Sequence, residues 1–92
     1  MAIIVYSKPA CVYCERAKAL LERLGLAYTE KIVSKDLTLE EFFKEIGKQV
    51  RQIPQIVIDN RHIGGYNELV EHFTNQGRIN YKGEKIEEEN KI

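Results

Sequence analysis

The chain has no tryptophan, one methionine, two prolines and only two cysteines in 92 residues. Two cysteines are too few for a disulfide scaffold, so a packed core has to hold the fold. Charge of either sign is not in excess, because 14 Lys and Arg balance 14 Asp and Glu. Phosphate binding needs a basic face, which excludes nucleic acid as the main partner and leaves recognition to a local site. No stretch reaches the roughly 20 apolar residues of a membrane span. The opening Met1-Ala2-Ile3-Ile4-Val5 lacks the basic region and cleavage site of a secretion signal. The expectation is a soluble, cytoplasmic protein with no membrane partner. Repeats and low-complexity linkers are also missing.

What is present is enough for one domain. A chain this short buries about 60 to 65% of the surface its unfolded form exposes, and 43% hydrophobic residues supply the core. Ala2 to Tyr6 is a short apolar run ended by Ser7-Lys8-Pro9, which predicts a buried strand and a turn. From about Val12 the period changes. Ala17, Leu20, Leu21 and Leu24 recur at helical spacing among charged residues, and Gly25 suits the C-terminal end. Leu26 to Val33 predicts a second strand.

Thr38 with Glu41 forms a capping box for a second helix, with Leu37 and Phe42 as a hydrophobic staple. Leu39, Phe42, Phe43 and Ile46 form its expected buried stripe before Gly47. Gln55 to Ile58 reads as a strand, Asp59-Asn60-Arg61 as a tight turn and His62-Ile63-Gly64 as the returning strand. Asn67 is the expected cap of a last helix carrying Leu69, Val70 and Phe73, ended by Gly77.

The order is therefore βαβαββα, an α/β fold. A β-helix-β unit makes its strands parallel and the later hairpin adds antiparallel ones, so a mixed four-stranded sheet flanked by helices is expected. The domain is expected over residues 1–77, with a polar extension over residues 78–92, rich in Lys, Glu and Asn.

The two cysteines, Cys11 and Cys14, fall at the first strand-helix junction. Helical residues three apart have Cα atoms roughly 5 Å apart, inside the range of about 4.4 to 6.8 Å that a disulfide accepts. The pair can open and close without backbone movement. Cys11 at the helix start faces free amides and the positive end of the helix dipole, both of which favour a thiolate. An exposed, acidic Cys11 is expected as nucleophile and Cys14, one turn deeper, as the resolving thiol. A lowered thiol pKa gives little on attack, since nucleophilicity falls with basicity, but makes Cys11 the better leaving sulfur in a mixed disulfide. Zinc would need His62 and His72 as further ligands, and their spacing matches no common zinc site; no metal is expected.

Three segments together resemble the dithiol glutaredoxin family: Tyr6-Ser7-Lys8-Pro9-Ala10-Cys11-Val12-Tyr13-Cys14, then Ile53-Pro54, then Gly64-Gly65-Tyr66. The resemblance spans about residues 2–76 and implies a thioredoxin fold and glutathione-dependent disulfide reduction, with glutathione as cosubstrate. It implies that Cys11 attacks protein disulfides or glutathione adducts and that Cys14 resolves the protein mixed disulfide. Tyr13 would flank the nucleophile, Lys8 would attract the glycine carboxylate of glutathione, and Gln52 and Ile53 would precede a cis Pro54. The backbone of Ile53 would pair with the cysteine backbone of glutathione as an added strand. Gly65, Tyr66 and Asn67 would bring a helix N-terminus to the γ-glutamyl carboxylate, and Glu68 would meet the neighbouring ammonium.

Val12, Gln52 and Glu68 stand where the family commonly has proline, threonine and aspartate. The partners the resemblance implies are glutathione and disulfide-containing or glutathionylated proteins, ribonucleotide reductase among them, acting on a monomer. Two other readings share the same letters: a redoxin that draws electrons from thioredoxin reductase, and an iron-sulfur carrier using Cys11 from two chains.

Overall fold

The computed structural model describes residues 1–79. Strand β1 (Ile3–Ser7) leads to helix α1 (Val12–Arg23), strand β2 (Thr29–Ile32), helix α2 (Leu39–Ile46), the hairpin β3 (Gln55–Ile58) and β4 (Arg61–Gly64), and helix α3 (Tyr66–Asn75). The sheet runs β2-β1-β3-β4. β1 pairs parallel with β2 and antiparallel with β3, and β3 pairs antiparallel with β4. This is the mixed four-stranded sheet expected from the sequence, in a thioredoxin fold.

Both faces of the central strands are covered, which is why β1 and β3 read as apolar runs and not as alternating ones. Ile3 and Val5 with Ile56 and Ile58 face Ala17, Leu20 and Leu21 of α1 and Leu69 and Phe73 of α3. Tyr6 and Val57 turn the other way, onto Phe42 and Ile46 of α2. The period-two alternation of a strand thus divides one hydrophobic segment between two cores.

The local signals hold at most ends. Thr38 accepts from the Glu41 amide at 3.1 Å while Glu41 accepts from the Thr38 amide at 2.8 Å, and Gly47 closes α2 in the left-handed region at φ 85°. Leu37 and Phe42 are buried in one cluster, as a staple requires. Asp59 and Asn60 have φ of 50° and 65°, the geometry of a two-residue type I′ hairpin, so Arg61 already belongs to the returning strand.

Four expectations need correction. Leu39 is 51% exposed, because it occupies the first turn of α2 and Leu37, just before the cap, fills the place over Phe42. The second strand is shorter than Leu26 to Val33, starting at Thr29. α3 begins at Tyr66 with Gly65 as its N-cap, which puts Asn67 inside the first turn and not at the cap. Ile79, expected in the polar extension, is 1% exposed and packs in the core under α1 and α3. Residues 80–92 of that extension lie outside the described residues.

Ile79 therefore behaves as core. Ile79→Ala should cost about 2 to 4 kcal/mol by the lost methylenes and the cavity left behind, and urea denaturation would show it as a lower midpoint at unchanged slope. A loss under about 0.5 kcal/mol would return the residue to the surface class.

Candidate active site

Cys11 is the N-cap of α1, and its side chain accepts from the Cys14 amide at 3.1 Å. A sulfur in that position does what a serine or aspartate oxygen does at other helix starts, so the amide that satisfies the helix end also points its positive charge at sulfur. Cys11 and Cys14 are joined as a disulfide with Cα atoms 5.2 Å apart, close to the chord that helical geometry gives. The turn that delivers Cys11 to the helix tip holds Ala10 at φ 53°, a left-handed conformation that a residue with a Cβ adopts only at a cost.

Cys11 is less open than the sequence suggested. The residue is 8% exposed and Cys14 is 0% exposed. The cause is geometric: bonded to Cys14 and capped by its amide, the Cys11 sulfur turns back under its own helix, with the Ile53 carbonyl oxygen 3.8 Å away on the other side. Of the two sulfurs' residues, only Cys11 retains any surface.

Beside the disulfide lies a cleft of about 460 Å³. One wall is Gln52, Ile53 and Pro54, whose Ile53-Pro54 bond is cis. Gly65, Tyr66, Asn67 and Glu68 at the start of α3 also line it, as do Lys8 and Tyr13, which flank Cys11 in the chain; neither cysteine is itself a lining residue. Every non-cysteine residue singled out from the sequence lines this one cleft. Tyr13 is 52% exposed and packs against Tyr66 with ring centroids 5.8 Å apart, while the Arg16 guanidinium lies 5.0 Å above its ring.

Arg51 also lines the cleft and was not singled out. It is a cation three positions before Pro54, in the polar segment between α2 and β3; only the fold shows that this segment forms a wall. Gly65 has no side chain to cap α3, and Glu68 accepts from its amide at 2.8 Å. One oxygen of Glu68 is thus engaged, and the first-turn amides of α3 have no side-chain acceptor.

Two polar networks brace the surroundings. Ser7, 1% exposed at the end of β1, donates to Glu30 at 2.6 Å, and Lys18 reaches Glu30 at 2.9 Å. Those two partners hold the Glu30 carboxyl below its ordinary range, the Ser7 bond contributing most. On the other side of the sheet, Tyr6 donates to Glu45 at 2.6 Å, and burial with that bond pushes its phenol up. Among the described residues no cluster of three or more His, Cys, Asp or Glu side chains is placed to hold a metal, and no helix is long and apolar enough to cross a membrane.

The Glutaredoxin family model matches residues 3–63. The chain belongs to the glutaredoxin family. Among curated relatives, glutaredoxin 1 of Rickettsia prowazekii is 42% identical over 80 residues, covering 84% of this chain and 81% of that protein. The solution structure of reduced Escherichia coli glutaredoxin superposes with a TM-score of 0.73 at 31% identity, covering 82% of this chain and 95% of the other. A buckwheat glutaredoxin solved as a complex with glutathione superposes at 0.67 and 28% identity, over 80% of this chain and 69% of that one. Glutaredoxin membership together with the Cys11–Cys14 pair makes the activity thiol-disulfide oxidoreduction.

Proposed function

We propose that this glutaredoxin is a glutathione-dependent reductase of protein disulfides and glutathione adducts, with Cys11 as nucleophile and Cys14 as resolving thiol. The observation that carries it is the meeting of a helix-capping sulfur with a cleft whose walls present cations, a free helix start and an unpaired backbone edge. Glutathione has two carboxylates, one ammonium and a peptide backbone. Lys8 and Arg51 are the cations of the cleft and suit the glycine carboxylate. The uncapped first turn of α3 suits the γ-glutamyl carboxylate, and the second oxygen of Glu68 suits the ammonium. The backbone of Ile53 suits that of the glutathione cysteine.

In this reading a Cys11 thiolate attacks the glutathione sulfur of an adduct, the protein thiolate leaves and takes up a proton, and Cys11 is left bonded to glutathione. A second glutathione thiolate attacks that glutathione sulfur; oxidised glutathione forms and Cys11 leaves as thiolate. With a protein disulfide, Cys11 first bonds the protein, Cys14 then displaces it, and the Cys11–Cys14 disulfide results. Two glutathiones restore the dithiol, each supplying one electron. Cys14 is fully covered and Cys11 keeps some surface, which supports entry of the reductant at Cys11.

The test is the electron source. NADPH oxidation should proceed with glutathione and glutathione reductase and stay at background with thioredoxin reductase alone. The opposite pattern would reject glutathione dependence and favour the thioredoxin-reductase-linked reading. Acceptors are protein disulfides and glutathionylated proteins; anaerobic reconstitution with iron and sulfide should give no coloured dimer.

A further inference from the structure

Gln55 is the first residue of β3 and is 6% exposed, a polar side chain sealed behind the cleft and taking no part in the chemistry described above. Its Nε2 donates to the Gln52 carbonyl at 2.9 Å, and its Oε1 lies 2.6 Å from Nε2 of His62 on β4. The direction of this chain of bonds is fixed. Turning the amide over would set two acceptors, Gln55 Oε1 and the Gln52 carbonyl, against each other. Gln55 Oε1 therefore accepts, and His62 carries a proton on Nε2. Burial, with Lys48 adding to it, pushes the His62 pKa down, in keeping with a neutral ring at neutral pH.

The Gln52 carbonyl and the Ile53 N–H belong to one peptide group. That group is trans, the cis bond being the next one, and in a planar trans peptide the carbonyl and the N–H point in opposite directions. Holding the Gln52 carbonyl against Gln55, behind the wall, aims the Ile53 N–H the other way. Ile53 lines the cleft, and among the described residues its N–H makes no hydrogen bond.

We propose that His62 and Gln55 are positioning residues that aim the Ile53 N–H at the bound glutathione moiety, His62 acting through the Gln55 amide. The inference rests on the glutathione reading of the cleft. The brace also links β4, which leads into the Gly65 wall, to the loop that forms the facing wall, so both walls are set by one buried amide. A substrate donor held in place before binding costs less ordering when the ligand arrives.

The experiment compares wild type, Gln55→Met, His62→Ala and His62→Gln on a glutathione–cysteine mixed disulfide, and reads KM, kcat and the rate of iodoacetamide alkylation of reduced Cys11. Gln55→Met and His62→Ala should raise KM about five- to tenfold, the worth of about one hydrogen bond, with kcat and alkylation unchanged. His62→Gln can donate an amide N–H to Gln55 Oε1 and should recover most of the loss. An unchanged KM in Gln55→Met and His62→Ala, or kcat and alkylation falling together with thermal stability at constant KM, overturns the proposal. Imidazole nitrogen NMR of the wild type does not depend on any variant folding: a neutral His62 protonated on Nε2 supports the brace, and one protonated on Nδ1 overturns it. If wild type shows no saturable use of the adduct, the glutathione reading itself has failed, which is a different result from wild-type saturation with unmoved variants.

Discussion

Cys11→Ser should reduce turnover of both glutathione adducts and protein disulfides to the uncatalysed background, whereas Cys14→Ser should keep adduct reduction and lose most dithiol reduction of protein disulfides. The asymmetry follows from position. Cys11 caps α1 and receives the Cys14 amide, so negative charge on its sulfur is stabilised by the helix start. A serine oxygen there accepts the same amide and holds the same fold, yet forms no disulfide and is no nucleophile at neutral pH. Cys14 lies one turn inside with no exposed surface, so in the proposed mechanism it resolves a bond already made at Cys11 and starts none. In Cys14→Ser, iodoacetamide should modify Cys11 rapidly at pH values where an ordinary thiol is protonated. Substantial activity in Cys11→Ser, or ordinary alkaline alkylation in Cys14→Ser, would overturn the assignment of roles.

Gly64→Ala should destabilise the fold by about 2 to 4 kcal/mol, a fall in melting temperature of roughly 10 to 25 °C for a domain of this size. Gly64 has φ +129°, a region that side-chain-bearing residues rarely enter. An added Cβ would also lie 2.8 Å from Cγ and 2.9 Å from Cβ of Glu68. The Cβ of Glu68 is fixed to the backbone of α3, so rotating the glutamate cannot relieve the contact. Either the hairpin or the start of α3 must move, and the Glu68 bond to the Gly65 amide would be lost with it. Gly65→Ala is the milder case, because its φ is ordinary and its added Cβ would meet the Pro54 carbonyl oxygen at 3.3 Å; it narrows the cleft more than it strains the chain. Calorimetry of the two variants should rank them in that order, and a Gly64→Ala protein melting within a few degrees of wild type would contradict the steric argument.

How much of this was legible beforehand depends on the range over which each signal acts. The capping box at Thr38, the hairpin turn at Asp59-Asn60 and the glycine ends of the helices are contacts between residues a few positions apart, and those signals were sound. Leu39 and Asn67 were misjudged by a turn or less, because helical spacing gives a face but not where along the helix the neighbouring core stops. Ile79 failed for the opposite reason. Its surroundings in the chain are polar, and only the space left beneath α1 and α3 makes it core.

The candidate site divides in the same way. Sequence by itself determined the element order, the thiol pair and the spacing that lets it close, because these are set by local backbone geometry and by the two-residue and 3.6-residue periods of strands and helices. Tertiary structure alone decided that Arg51 belongs to the cleft, that Cys11 is largely covered when bonded to Cys14, and that Gln55 and His62 meet behind Ile53. The first two depend on which segments the sheet brings together at long separation, such as Cys11 and Ile53, which no local preference of the chain encodes; the third joins residues seven apart and depends on the irregular register of the β3–β4 hairpin.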